Sequence, residues 1–374
     1  MAEITATNQF IHHTARLAPS VKIKCKTLHI GANAIIRENT TIDGGEIFID
    51  SGVDIGFRVI IATERLHLGY KTQISSNCQL RGLGRWADNL QWGDFCFLGE
   101  ACNILLPVLI AGDYVVTHNH LLANGYKPCY IGHNTWIGQN CILNSNETLT
   151  IGNGVGIGAY SSIYTHAFFG ELLEGCQIFN VAPVIIEDNA WIVGGYNVIS
   201  PGVTIGERSM ILTSSVVSKN VPALHCVGGV PARDVTDKIT PFRTLSLEEK
   251  YTMMEKFIKE YVEDTYPGEY ERIASGYRVA PKDSEPFRVL LLETIHEGDT
   301  TGKDATLLYV KTYQGEDLLS NITVFDLSTK QYTKRRSDPE YRIIKFMNNS
   351  RARFVPNANP RIGPDVKEEA GKGL

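Results

Sequence analysis

The 374-residue sequence lacks several features that would define other classes of protein. Its eight cysteines form no Cys-x-x-Cys pair, so neither a cysteine-rich metal module nor a disulfide framework is indicated. No stretch approaches the roughly 18 apolar residues that span a bilayer. The net charge of −5 gives no reason to expect nucleic acid or membrane insertion. The N-terminus has no basic start followed by an apolar run, which predicts a cytoplasmic protein.

The sequence does contain an aliphatic residue at every sixth position, grouped in threes. One such triad is Ile151, Ile157 and Ile163, and another is Ile186, Ile192 and Val198. An α-helix returns the same face at three, four and seven residues, and a flat strand alternates every two, so a period of six fits neither. It predicts a triangular coil with three short strands, three corners and one inward aliphatic residue per side. Several coils must stack, because no single coil can bury its own inner face.

Turn-forming residues sit at the expected corners. Glycine often follows the inward aliphatic residue, as at Gly132 and Gly158, and asparagine follows at Asn134. Both residue types tolerate left-handed backbone conformations. An antiparallel β-sandwich is the alternative, but its strands would recur less uniformly, at about 8–12 residues. The coil is predicted over residues 1–238, with loop excursions near 81–97, 117–130 and 164–185.

Two segments carry a resemblance to a known family. Ile131-Gly-His-Asn-Thr-Trp-Ile-Gly138 and Ile186-Glu-Asp-Asn-Ala-Trp-Ile-Val-Gly194 resemble the hexapeptide-repeat acyltransferases, and in particular the sugar O-acetyltransferases of the maltose and galactoside type. The resemblance covers about residues 10–235 and is most specific from 150 onward. It implies a mainly β fold, a left-handed parallel β-helix. It also implies an acetyl-CoA-dependent acetyltransferase that acts on a hydroxyl or amine of a saccharide, as in polysaccharide biosynthesis, with no metal.

His166 is the candidate general base. It follows the inward Ile163 by three residues, where a long excursion begins, and an imidazole can accept a proton near neutral pH. Tyr164-Thr165-His166 is also similar to the family's Thr-His-Pro element. By the same resemblance, the amide N–H of Gly194 would face the thioester carbonyl and stabilise the oxyanion.

The remaining coenzyme contacts are also implied by the resemblance. Trp191 and Gly195 flank Gly194, and Thr213-Ser214-Ser215 corresponds to the corner along which the pantetheine arm runs. Lys219 and Arg233 are similar in position to the cations that meet the coenzyme phosphates. On the acceptor side, Asn140 and Asn144 lie about one coil before His166 and are expected to bind sugar hydroxyls. The family assembles as a homotrimer, so a base from one subunit would face a slot shared with the next.

The hexapeptide period stops by about residue 235. Residues 239–355 predict a small α+β domain of unknown role: Ser246-Leu-Glu-Glu249 is a capping box that precedes a helical stripe, strand-like runs follow, and Ser337 can cap a last helix. The polar tail, 356–374, is predicted to be disordered.

Two other functions fit parts of the pattern. A γ-carbonic-anhydrase-like metal lyase uses the same coil, and it would need three histidines on zinc, for which His118, His120, His133 and His166 are the candidates. The family spacing would place a histidine at position 138, which is glycine. A non-catalytic β-helix scaffold for binding is the second alternative. It would not require the coincidence of His166, Trp191, Gly194, Lys219 and Arg233.

Overall fold

The structure is a computed structural model that describes residues 2–84, 86–296, 304–315 and 320–357. These residues form two units, the first ending at Phe242 and the second beginning at Arg243. The predicted boundary was at residues 238 and 239. The tail predicted to be disordered falls largely on 358–374, which lies outside the described residues.

The first unit is a parallel β-helix with three sides per coil. The second side of every coil belongs to one sheet, and the first and third sides belong to the other. The sheet of second sides contains Arg16–Leu17, Ile35–Ile36, Asp54–Ile55, Gln73–Ile74, Phe97–Leu98, Val116–Thr117, Trp136–Ile137, Gly156–Ile157, Trp191–Ile192, Met210–Ile211, Cys226–Gly228 and, antiparallel at its end, Arg233–Asp234.

The larger sheet contains the first and third sides. Its strands are Glu3–Ile11, Lys22–Ile30, Thr41–Ile49, Ile60–Leu68, Gln79–Arg81, Ala87–Trp92, Asn103–Leu105, Val108–Ala111, Leu122–Gly125, Cys129–Ile131, Ile142–Ser145, Leu149–Ile151, Ser162–Ile163, Val184–Ile186, Val198–Ile199, Thr204–Ile205 and Val216–Val217. In the first four of these, one nine-residue strand crosses a corner and covers a third side and the next first side.

The inward aliphatic residues stack in columns, as the six-residue period predicts. Ile137 pairs with Ile157, and Ile157 pairs with Ile192, and all three side chains are fully buried. Each fully buried side chain of this kind stabilises a fold by roughly 1.5–3 kcal/mol. The mainly β, left-handed parallel β-helix with a small C-terminal α+β domain is therefore confirmed as the fold class.

The glycines after the inward residues have a different reason from the one predicted. None of Gly56, Gly132 and Gly158 has a positive φ; instead, a Cβ on Gly132 would lie 2.5 Å from the backbone of Gly152 in the next coil. These glycines allow close stacking of coils. The left-handed positions fall later in each corner, at residues such as Asn134 and Tyr160.

Of the three predicted excursions, the first two are mostly coil. Residues 117–130 contain regular coil strands, because the buried Thr117 and Ala123 take the inward positions in place of larger aliphatic residues. Within 81–97, the chain leaves the coil only before Ala87–Trp92, a strand with a buried Trp92. The third segment leaves the coil as an antiparallel hairpin, in which His166–Phe168 pairs with Phe179–Val181.

The second unit is a mixed sheet with two helices. The helices are Leu247–Thr265, which begins with the predicted capping box on Ser246, and Asp338–Asn348, which is capped by Ser337. The strands, in sheet order, are Tyr270–Ile273, Gly276–Val279, Phe287–Leu292, Ala305–Val310, Ile322–Asp326, Gln331–Tyr332 and Val355–Pro356. No helix among the described residues is both long and apolar enough to cross a membrane.

Candidate active site

The sequence-predicted site residues fall on two edges of the prism. Edge A joins the second side to the third side, and it carries Asn140, Gly194, Gly195 and Thr213-Ser214-Ser215. Trp191 lies on the second side that leads into edge A, and Arg233 lies beside Gly228 at the end of the second-side sheet. Edge B joins the third side to the next first side. It carries Asn144, His166 and Lys219, which follow the stacked residues Leu143, Ile163 and Val217.

His166 is held at edge B by Asn144. Its ring is half-buried, and Nδ1 lies 2.7 Å from Asn144 Oδ1. Asn144 is itself buried, and its Nδ2 donates to the carbonyl of Asn124, 3.4 Å away. Thr165, fully buried, donates to the Asn144 carbonyl and accepts from the Glu147 N–H. The imidazole is therefore attached to the coil by a side chain of the preceding coil.

These contacts determine which ring nitrogen of His166 carries the proton in the neutral form. The backbone N–H of Asn146 also points to the Asn144 oxygen, at 3.4 Å, and an N–H can only donate. The atom facing His166 is therefore the amide oxygen, and Nδ1 must be the donor to it. The neutral ring then has its lone pair on Nε2, the nitrogen that can accept a proton from an acceptor hydroxyl.

The corner at Gly194 contains one residue more than the corners below and above it. The register shifts by one residue between the pairs Ile157–Ile192 and Ile163–Ile199, and it shifts back in the next coil. Gly195 has a φ of 96°. Gly194 packs so closely on the preceding coil that a Cβ on Gly158 would lie 2.0 Å from its Cα.

The Gly194 amide N–H has no hydrogen-bond acceptor among the residues that the structure describes. Its neighbours Val193 and Gly195 both donate to carbonyls of adjacent coils. Gly194 is exposed, so this N–H remains available to a ligand. An exposed, unbonded backbone donor at a rigid corner has the property that an oxyanion site requires.

Asn197 supports this corner, and the sequence analysis did not identify it. Its side chain is fully buried; Nδ2 donates to the Val193 carbonyl at 2.6 Å, and Oδ1 accepts from the Ser215 N–H at 3.0 Å. It therefore connects the corner that carries Gly194 to the corner of the next coil. The signal in the sequence is its position in the inward column, two residues before Ile199, where a polar residue needs buried partners.

The predicted coenzyme corner contains both accessible and buried residues. The Trp191 ring is 48% exposed and lies against Gly156, which offers no side chain. Thr213 and Ser214 are exposed, and both donate to the Gly195 carbonyl. Ser215 differs from the prediction: its hydroxyl is buried and donates to the Leu212 carbonyl at 2.6 Å, so its side chain cannot reach a ligand on the surface.

The two predicted phosphate-binding cations are exposed and form no salt bridge with the described residues. Arg233 belongs to the edge A group, whereas Lys219 follows Val217 on edge B. In a single chain they therefore belong to different edges. Asn140 and Asn144 are separated in the same way, and only Asn144 contacts His166.

The four histidines of the metal-lyase alternative have separate surroundings. The His118 ring packs edge-on against Trp136, and His133 Nδ1 accepts from the Asp113 N–H at 2.8 Å. Within the described part of the chain, no three histidine, cysteine or acidic side chains lie close enough together to hold a metal ion. The four candidate histidines, all of which the structure describes, therefore do not form a three-ligand site within one chain.

Comparison with known proteins identifies relatives of part of this chain. The galactoside O-acetyltransferase of Escherichia coli K12 is 34% identical over 110 residues, which are 29% of this chain and 53% of that protein. A putative acetyltransferase of Saccharomyces cerevisiae is 37% identical over 112 residues, 30% of this chain and 56% of that protein. Over about 30% of its length, this chain is similar in sequence to acetyltransferases.

This relationship covers only part of each protein. The chain spans about half the length of the curated relatives that it matches, and no protein-family profile matches it. Among solved structures, a maltose O-acetyltransferase from Clostridium difficile 630 is 29% identical over 37% of this chain and 67% of that chain, with a TM-score of 0.26. The C-terminal unit adds a helix-and-sheet domain to the hexapeptide coil.

Proposed function

We propose that the protein is an acetyl-CoA-dependent acetyltransferase that acylates a hydroxyl group of a saccharide. The observation that carries the proposal is the orientation of His166, whose Nδ1–H is bound by Asn144 so that Nε2 is the proton acceptor. The sequence similarity to a galactoside O-acetyltransferase supports both the acyl donor and the type of acceptor.

The proposed reaction uses three groups of this chain. The acceptor oxygen attacks the thioester carbonyl carbon while its proton passes to Nε2 of His166. The carbonyl oxygen becomes negative and accepts a hydrogen bond from the Gly194 N–H. The C–S bond then breaks, and the proton on the imidazolium passes to the departing thiolate. The products are an acetyl ester and free coenzyme thiol. Asn144 keeps the imidazole in the required tautomer throughout.

A homotrimer explains why the residues lie on two edges. In this proposal, edge B of one subunit, which carries His166, faces edge A of the next, which carries Trp191 and Gly194. The hairpin excursion that begins at His166 supports contact with another copy: Phe169 is fully exposed and Leu173 is 88% exposed, although both are large apolar side chains. A saccharide acceptor would enter between the subunits.

The function is tested by a thiol-release assay with acetyl-CoA and a panel of neutral and charged saccharides. His166→Ala should lower the rate by about a hundredfold or more, in line with the usual contribution of a general base. His12→Ala, on the N-terminal coil, is the matched control. A His166→Ala enzyme within a few-fold of wild type would refute the assignment of His166, and calorimetry showing no binding of acetyl-CoA would refute the function.

The shared site is tested by mixing two inactive variants, His166→Ala and Trp191→Ala, after unfolding and refolding them together. If each site takes its base from one subunit and its slot from the next, random trimers recover about a quarter of the wild-type sites. Failure to recover any activity in verified mixed oligomers would mean that both residues of a site come from the same chain.

A further inference from the structure

A second concave site lies in the N-terminal coils, outside the residues assigned above. It is a cavity of about 370 Å³ on edge A, and Arg37, Asp54, Gln73, Ser75, Glu100 and Asn119 line it. Gly56 is also part of the lining, and it allows the next coil to pack closely, because a Cβ there would lie 2.6 Å from the backbone nitrogen of Ser76.

Several hydrogen-bonding groups in the lining have no partner among the described residues. Among the described residues, none bonds to the amide of Gln73 or to the hydroxyl of Ser75. Asn119 uses its oxygen to accept from the Glu100 N–H, which leaves its NH₂ group open. Glu100 uses only Oε1, which accepts from Asn77 at 2.9 Å. Both donors and acceptors therefore converge on a space large enough for a small ring.

The charge of the cavity indicates a neutral ligand. Arg37 is bound in a two-point contact to Asp54, with distances of 3.1 and 2.6 Å, so its positive charge is balanced. Glu100 then leaves the lining with an excess of negative charge. A phosphate, a nucleotide or an acidic sugar would be repelled, whereas a neutral polyhydroxylated ring can both donate and accept hydrogen bonds here.

We propose that this cavity is a binding subsite for a neutral saccharide. The exposed ring of Phe57 at the neighbouring corner, with Arg37 5.7 Å from its centroid, offers an apolar surface next to the polar lining, as the two faces of a pyranose require. The inference rests on the proposed function in one respect, namely that the bound saccharide is the acceptor to be acetylated.

The position of the cavity also indicates the length of that acceptor. Gln73 belongs to the outward column that continues through Phe97, Val116, Trp136 and Gly156 to Trp191. Five coil steps separate the two ends, and at a spacing of about 4.8 Å this is about 24 Å along the axis. A monosaccharide or disaccharide cannot span that distance, so the subsite would select oligosaccharides or polysaccharides.

Binding is tested by titration calorimetry on the full chain without acetyl-CoA, with maltotetraose and cellotetraose as neutral probes and a sialylated trisaccharide as the anionic probe. Gln73→Ala removes an exposed amide that no described residue binds, so folding should be unaffected. We expect about fivefold weaker binding of a neutral tetrasaccharide, the effect of roughly one hydrogen bond. Gln91→Ala, another outward glutamine but on a first side, should bind as wild type.

Asn119→Asp gives a second measurement, because it keeps the oxygen that accepts from the Glu100 N–H and replaces the NH₂ donor with a charged carboxylate oxygen. It should weaken neutral glycans in the same way. Equal binding by wild type and both cavity variants, stronger binding of the sialylated probe, or no binding of any neutral glycan would overturn the proposal. If glycan binding depends on Gln73 but no acetyl group is transferred, the subsite is retained and the proposed function is refuted. If acetyl groups are transferred to short sugars alone, the proposed function is retained and the subsite is refuted.

Discussion

The hydrogen bond between Asn144 and His166 leads to a prediction that tests whether Asn144 orients the catalytic ring or only stabilises the fold. In the proposed reaction the ring of His166 becomes positively charged, so the 2.7 Å hydrogen bond to Asn144 strengthens in the transition state. A hydrogen bond to a charged group contributes about 1.5–3 kcal/mol. A neutral hydrogen bond already contributes about 0.5–1.5 kcal/mol in the ground state, so the gain in the transition state is about 1–1.5 kcal/mol. Since about 1.4 kcal/mol corresponds to a tenfold change in rate, Asn144→Ala should lower kcat by roughly 5- to 15-fold.

The substitution Asn144→Asp tests the same contact by a different route. The carboxylate still accepts from Nδ1–H, so the tautomer is retained, but it favours the protonated ring. The base must be neutral to act. The pH below which activity falls should therefore be higher than in the wild type, and activity should recover at high pH. In Asn144→Ala, the rate should be low across the whole pH range.

The assay is the pH profile of kcat and kcat/KM for thiol release, measured for both variants beside Asn89→Ala, an outward amide on a first side. Circular dichroism and melting temperature report whether the coil remains folded. The positioning role is refuted if Asn144→Asp and Asn144→Ala have the same pH profile, or if either keeps the wild-type rate while folded.

Three further predictions concern the corner at Gly194 and the second unit. Asn197→Ala should destabilise the coil by about 1–3 kcal/mol in urea unfolding, because it leaves two buried backbone groups unpaired, and should raise KM for acetyl-CoA; an unchanged urea midpoint would contradict this. Gly158→Ala should displace Gly194 and lower kcat more than Gly156→Ala does, measured by thiol release. Burial lowers the pKa of Lys330 to about 7. Between pH 7 and 10 the Lys330 side chain is therefore protonated in the unfolded chain but neutral in the folded one, so the free energy of unfolding should rise with pH in that range. In urea unfolding, Lys330→Met should flatten this rise.

The coil could be predicted from the sequence because the six-residue period of aliphatic residues equals the number of residues in one side of the coil. Most inward residues, such as Ile157, occupy positions fixed by counting six. The count fails at Val198: Ile199 is the buried residue there, because the Gly194 corner contains one residue more. The same counting places Asn144 and Lys219 on one edge with His166. The C-terminal helices could also be predicted from the sequence, since Ser246 and Ser337 supply local capping signals that do not depend on distant contacts.

The sequence could not predict the orientation of individual side chains or the boundaries of the segments that leave the coil. Asn144 was expected to bind the acceptor, and the structure instead turns its oxygen to His166, a choice made by buried partners on other coils. The hydroxyl of Ser215 turns inward for the same reason. Residues 117–130 were expected to leave the coil because the aliphatic period is interrupted there, yet Thr117 and Ala123 fill the inward positions six residues apart and the coil continues.

The distribution of the site over two edges follows from the geometry of a three-sided coil. Adjacent edges of one prism are separated by a full side, here the third side with Ile163 and Ile199, whose inward residues are fully buried and cannot move apart. Bringing His166 to Gly194 within one coil would disrupt this buried core. In the proposed reaction a second edge therefore approaches from outside, and an identical prism carries the complementary edge. A repeat protein of this kind can acquire an enclosed active site by association, since the interior of the coil is filled by its own core.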